Sequence, residues 1–127
     1  MAQQFIVQLP NVPGALADLA EALAARGVDL RAIGGGGIGD SGHVIMTTAD
    51  DDGARAVLEE RGYTYHEGES LLHEVPDRPG GMAEVSRRLA DAGVNIYGHL
   101  FVGRWGDRAT FAFVVDDVDA ARRILEG

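Results

Sequence analysis

The sequence has no cysteine, which excludes disulfides, thiolate metal sites and thiol catalysis. Basic residues are few: 11 of them stand against 20 acidic residues, and the formal net charge is −9. Such a charge argues against nucleic acid or an anionic membrane as a partner. Long apolar runs are lacking too, and residues 1–4 carry neither a basic region nor an apolar segment. We therefore expect a soluble protein of the cytoplasm.

What the sequence does contain is a pattern of about twenty residues that occurs twice, 66 residues apart. The first copy opens with PNVPG at 10–14 and closes with GVDL at 27–30, and the second opens with PDRPG at 76–80 and closes with GVNI at 93–96. A self-match at a fixed spacing indicates one supersecondary unit built twice. It predicts two units, 1–68 and 69–127, each of marginal size alone and therefore packed side by side.

The apolar periodicity of each copy predicts the order β-α-β-β-α-β, the ferredoxin-like split βαβ motif, and hence an α+β fold. Asn11 is expected to cap the first helix, with Pro13 in its first turn. The second unit has no counterpart to the strand expected at 63–66, and the open edge favours a homodimer. Four helices are expected to cover one face of a continuous sheet and to bury Leu16, Leu19, Leu23, Met82, Val85 and Leu89.

The motif N-x-P-G at 11–14 and its counterpart DRPG at 77–80 each precede an amphipathic helix and then Gly-Val-Asp or Gly-Val-Asn. This combination resembles the ACT domain over nearly the whole chain, twice. The stretch 101–107 is similar to small tandem ACT proteins that carry no catalytic domain. The resemblance implies βαββαβ modules that bind amino acids and regulate enzymes of amino-acid metabolism. It also implies that the turn of one unit faces the start of the second strand of the other.

A zwitterionic amino acid needs donors for its carboxylate and acceptors for its ammonium group. The N–H groups of residues 14–16 lie at a predicted helix N-terminus, which favours an anion, and an Asn or Asp side chain supplies acceptor oxygens. Together with the resemblance, this predicts a ligand site formed by Asn11, Val12, Pro13, Gly14, Ala15, Leu16 and Asn95. A weaker second site is predicted from Asp77, Gly80, Gly81, Met82 and Asp29.

The two predicted sites differ in charge. The second brings together two carboxylates, which is unfavourable unless a cation such as Arg78 or Arg31 neutralises part of the charge. We therefore expect one amino acid per chain, at the Asn11 site. Asn and Asp are also ordinary cap and turn residues, so a fold without any ligand stays open as an alternative.

Three other features of the sequence bear on possible sites. The glycine run 34–39 is followed neither by Gly-Lys-Ser/Thr nor by a helix, so it indicates a strand that another backbone or a ligand approaches closely rather than a nucleotide loop. The four histidines show no metal-ligand spacing, and we expect no metal and no cofactor. Trp105 is predicted at a hairpin tip, where it either anchors a partner or covers the end of the sheet.

Three function classes remain. The first is an amino-acid-binding regulatory module, the second is an ACT-fold interaction or assembly protein that binds no ligand, and the third is a small enzyme. The third is the least favoured, because no nucleophile–base pair is apparent. The expected partners are an amino acid or similar small zwitterion, a second copy of the chain, and an enzyme that the module regulates.

Overall fold

The chain folds into two units, Met1–Gly68 and Glu69–Gly127, in a computed structural model that describes residues 2–126. The first unit has the order βαββαβ and the second the order βαββα. The elements of the first unit are β1 (Gln3–Pro10), α1 (Ala15–Ala25), β2 (Leu30–Ile38), β3 (Ser41–Thr48), α2 (Asp51–Glu60) and β4 (Tyr65–Glu69). Those of the second are β5 (Leu71–Pro76), α3 (Gly81–Asp91), β6 (Ile96–Trp105), β7 (Arg108–Val115) and α4 (Val118–Glu126).

The sheet of the first unit has the strand order β2-β3-β1-β4, and β3 pairs antiparallel with both of its neighbours. Residues paired across antiparallel strands project to the same face of the sheet. We call each line of residues paired across the three strands a row, and every second row faces the helices. Phe5, Val7, Leu9, Val44 and Met46 on this face are buried in one core with side chains of both helices. The same rows continue into β2 as Ile33, Gly35 and Gly37.

The sheet of the second unit has the order β5-β7-β6, again with antiparallel pairs. The strands of residues 2–126 thus form two sheets, and the expectation of one continuous sheet is wrong. Within residues 69–126 no strand follows β7, and the unit ends with helix α4. The prediction of an α+β fold with two ferredoxin-like units, the second without its last strand, is confirmed. Phe113, Val85 and Leu89 lie at the centre of its core.

The predicted helix cores are correct with one exception. Leu19, Leu23, Val85 and Leu89 are buried, and Met82 is partly buried against the second core. Leu16, by contrast, is 52% exposed. It follows the helical period of Leu19, but it lies in the first turn of α1, where it borders an open pocket instead of covering the sheet.

The start of helix α1 also differs from the prediction, because Asn11 does not cap it. The N-cap residue is Gly14, in the left-handed region at φ +88°, and no side chain caps the helix. The chain turns tightly before it, with Val12 N–H donating to the carbonyl of Pro10 at 3.0 Å. This turn leaves Asn11 outside the helix, where its amide serves another purpose. Gly80 repeats the left-handed conformation before α3, at the same φ of +88°.

Candidate ligand-binding site

The turn between β1 and α1 has backbone N–H groups that form no hydrogen bond within residues 2–126. Its own hydrogen bonds use the N–H groups of Asn11, Val12 and Ala15; the last donates to the carbonyl of Val12 at 3.3 Å. Among residues 2–126, no acceptor contacts the N–H of Gly14 or Leu16. Free donors at a helix start, together with the helix dipole, favour an anionic group. Ala15, predicted as a third donor, is already engaged.

Asn11 is held in place by the hairpin between β2 and β3. Its side-chain Nδ2 donates to the carbonyl oxygen of Gly39 at 2.9 Å, and its backbone N–H donates to Asp40 at 3.0 Å. Since Nδ2 is the donor, Oδ1 of the same amide remains as an acceptor. The amide lies directly over Gly37: a Cβ placed on that glycine would be 2.8 Å from Asn11 Cγ. A glycine at 37 is therefore needed for this position of the Asn11 side chain.

A pocket of about 390 Å³ opens beside this turn. This volume lies within the range of roughly 300–1,000 Å³ that small-molecule sites have. Four of the predicted site residues line it, namely Asn11, Val12, Ala15 and Leu16, whereas Pro13 and Gly14 of the same turn do not. Its other lining residues come from the three neighbouring strands: Leu9, Pro10, Ile33, Gly34, Gly35, Gly36, Gly42, His43 and Val44.

The pocket exists because β2 presents almost no side chains to the helix face. In the rows that lead to Leu9 and Val7, β2 contributes Gly37 and Gly35. A Cβ on Gly35 would lie 2.3 Å from the carbonyl oxygen of His43, so the backbones of β2 and β3 approach closely there. The glycine run belongs to a strand pair, and the prediction of a strand closely approached by another backbone is confirmed.

The second unit fills the corresponding positions. In the row that corresponds to Gly37, β6 carries Arg104, and its Nε donates to Asp77 Oδ2 in an ion pair. Arg104 also lies over the ring of Phe101, 5.1 Å from the centroid. The matched rows are Leu9–Gly42–Gly37 in the first unit and Val75–Ala109–Arg104 in the second.

Phe101 occupies the row that corresponds to Gly35. It pairs with Phe111, and the two rings meet edge to face with centroids 5.7 Å apart. The strand register shifts between Phe101 and Gly103. The space that is open beside Val44 in the first unit therefore holds aromatic rings in the second.

Two further contacts tighten the second turn. A Cβ on Gly81 would lie 2.1 Å from the carbonyl oxygen of Pro76, whereas the first unit has Ala15 at this place. Arg78, predicted to neutralise the carboxylates, pairs instead with Glu84 at 3.0 Å. The cation that pairs with Asp77 is Arg104, which the sequence prediction missed.

Asn95 and Asp29 occupy equivalent places at the starts of β6 and β2. The backbone N–H of Asn95 donates to Asp116 Oδ1 at 2.9 Å, and its carbonyl accepts from the backbone N–H of Asp116 at 3.1 Å. The carbonyl of Asp29 accepts from Ala49 at 2.9 Å, and its carboxylate lies 3.6 Å from Arg31 Nε. Arg31 therefore neutralises part of the charge of Asp29, as the sequence suggested.

Within residues 2–126, no group of three or more His, Asp or Glu side chains is arranged to hold a metal ion. No helix in the same range is long and apolar enough to cross a bilayer.

The two units define a tandem α+β protein of the ferredoxin-like class, with an open pocket at the first turn. Residues 4–62 match the ACT domain family. The first unit is therefore an ACT domain, and the second unit repeats its fold. No curated protein sequence matches the chain.

Solved structures share this fold over nearly the whole chain. A protein from Bacteroides thetaiotaomicron is 23% identical with a TM-score of 0.76, over 98% of this chain and 86% of that one. The regulatory subunit of aspartate kinase from Thermus thermophilus, in a ligand-free form, is 22% identical with a TM-score of 0.65, over 98% and 89%. Aspartate kinase from Clostridium acetobutylicum is 14% identical with a TM-score of 0.63, and the match spans 98% of this chain but 32% of the enzyme.

Sequence reasoning located the turn but missed the strand side of the pocket. Ile33, Gly34 and Val44 were not predicted as lining residues. The signal for them was the glycine run itself, because consecutive glycines in a strand indicate that something approaches its surface closely.

Proposed function

We propose that this protein is an amino-acid-binding regulatory module whose ligand site is the pocket of the first unit. The observation that carries the proposal is the pocket beside the Asn11 turn, which the fixed amide of Asn11, Leu16 of the helix start and several apolar side chains line together. The membership of residues 4–62 in the ACT family supports it. So does the likeness of fold to a protein described as a regulatory subunit of aspartate kinase. The module acts by binding, not by catalysis, on an enzyme of amino-acid metabolism.

The proposed pose follows from the donors and acceptors of the turn. The ligand carboxylate accepts from the N–H groups of Gly14 and Leu16, where the helix dipole is favourable. The ligand ammonium donates to Asn11 Oδ1, the acceptor left free by the bond to Gly39. Asn95 is proposed as a second acceptor for the ammonium on the family resemblance alone. Pro13 and Gly14 shape the turn, and Val12 borders the ligand.

Gly37→Ala is expected to weaken amino-acid binding about tenfold, a loss of about 1.4 kcal/mol. The added methyl group displaces the Asn11 side chain, which moves its acceptor away from the ligand. The stability should change little, because a side chain and not a backbone gives way. The measurement is titration calorimetry with the amino acid that raises the melting temperature most in a screen of all twenty.

Ile38→Ala is the control for this experiment. Ile38 follows Gly37 in β2, its side chain is 90% exposed, and it does not line the pocket. This variant should bind like the wild type. Equal losses in the two variants would contradict the role of Asn11, and a screen in which no amino acid raises the melting temperature would contradict the proposed function.

We also propose that the protein forms a homodimer through the second unit. Within residues 69–126, β5 is an edge strand of its sheet, and Leu72 on it is 67% exposed. Exposed edges that carry large apolar side chains favour pairing with another chain. Sedimentation velocity at micromolar concentration should give a dimer, and Leu72→Glu should shift it toward monomer. A wild-type protein that sediments as a monomer would contradict this proposal.

A further inference from the structure

The walls of the pocket in the first unit are aliphatic. Five of its thirteen lining residues carry large aliphatic side chains, and none is Asp, Glu, Lys or Arg. The five are Leu9, Val12, Leu16, Ile33 and Val44. A charged ligand side chain placed here would lose its hydration and gain no partner, which is costly.

Three of these side chains are exposed around the opening. Val12 is 56% exposed, Leu16 52% and Ile33 47%, although Leu16 has the helical spacing of a core residue. Val12 and Leu16 come from the turn and the helix, whereas Ile33 comes from β2 on the other side of the pocket. Apolar side chains gathered at one opening and left uncovered mark a binding site.

The second unit supplies an internal comparison. At the row where the first unit has Gly35, it places the ring of Phe101 against Phe111. An apolar group thus occupies the corresponding space when the chain itself provides one. Because Gly35 has no side chain, the space beside Val44 is open. The pocket there has a volume that suits a small molecule and not a protein segment.

We infer that the pocket selects an amino acid with an uncharged aliphatic side chain, with Ile33 and Leu16 as the residues that determine this specificity. The inference rests on the proposed function and adds the class of ligand. The ligand backbone lies at the Asn11 turn, and its side chain packs between Leu16 and Ile33. Burial of each methylene group then contributes to affinity, so leucine, isoleucine or valine binds more tightly than alanine.

The test is a calorimetric comparison of leucine, isoleucine, valine, alanine, serine, aspartate and lysine on the full-length chain. Ile33→Thr keeps a β-branched residue in the strand and should weaken binding of the best aliphatic ligand about tenfold, the factor that 1.4 kcal/mol corresponds to. Ile33→Val should retain most of the affinity. Alanine binding should be nearly insensitive to both changes, because its side chain is too short to reach Ile33.

Ile38→Thr is the matched control, since it makes the same substitution in the same strand. Ile38 is 90% exposed and does not line the pocket, so this variant should bind like the wild type. Tighter binding of serine, aspartate or lysine than of any aliphatic amino acid would overturn the inference and leave the proposed function intact. So would an equal loss in Ile33→Thr and Ile38→Thr. Binding of none of the amino acids would overturn both.

Discussion

Gly35→Ala is expected to lower the free energy of unfolding by about 3 kcal/mol, the upper end of the usual cost of overpacking. The added Cβ would lie 2.3 Å from the carbonyl oxygen of His43, which is backbone of the paired strand and cannot rotate away. Relief requires the separation of β2 from β3 beside the pocket. Urea titration measures the effect as a lower midpoint at an unchanged slope.

The stability control is Gly36→Ala, one residue along the same strand. Its Cβ has no neighbour within 4 Å, and its effect should stay within about 0.5 kcal/mol. Neither glycine has a positive φ, so backbone strain does not distinguish the two substitutions. If both variants unfolded at the same urea concentration, the close approach of β2 and β3 at Gly35 would not be a constraint on this fold.

The double variant Asn11→Asp with Gly37→Arg is expected to weaken amino-acid binding at least about 100-fold. It gives the first turn the Asp–Arg ion pair that the second turn has. The new carboxylate would pair with the new arginine, as Asp77 pairs with Arg104, and would no longer accept from the ligand ammonium. The arginine side chain would also fill the space over residue 37. A 100-fold loss corresponds to about 2.7 kcal/mol.

The reciprocal variant, Asp77→Asn with Arg104→Gly, serves as the control. It removes the ion pair of the second turn but leaves the Phe101 ring in place. Calorimetry should then give one ligand per chain with wild-type affinity, as for the unmodified protein. In the same series Asn95→Ala should weaken binding, because it removes the proposed second acceptor for the ligand ammonium. Two equal sites in the wild type, or full affinity in the first double variant, would contradict the proposed asymmetry.

The asymmetry between the turns was predicted from charge alone, and the structure gives it a fuller basis. The sequence placed Asp77 and Asp29 in the weaker site and named Arg78 as a neutralising cation. In the structure Arg78 pairs with Glu84, and Arg104 pairs with Asp77 from 27 residues away. Phe101 adds a steric difference that the charges did not suggest. Both contacts come from β6, a strand that lies outside the sequence motif of the turn.

The sequence by itself determined the repeat, the fold class and the position of the turn. These follow from local patterns: the periods of strands and helices, and a Pro-Gly turn that requires a left-handed glycine at 14 and at 80. The burial of Leu19 and Val85 could be predicted for the same reason. The exposure of Leu16 could not, because the helical period shows which face of a helix is apolar but not whether the sheet covers the first turn of that face.

Only the tertiary structure decided what each turn contains. Asn11 donates to Gly39, 28 residues later, and the row that contains Gly35 or Phe101 depends on the register between two strands. A single extra residue between Phe101 and Gly103 changes which side chain enters the row, and no local pattern reports it. The pocket is therefore a property of strand register and of missing side chains, both of which arise from pairings between residues distant in the sequence.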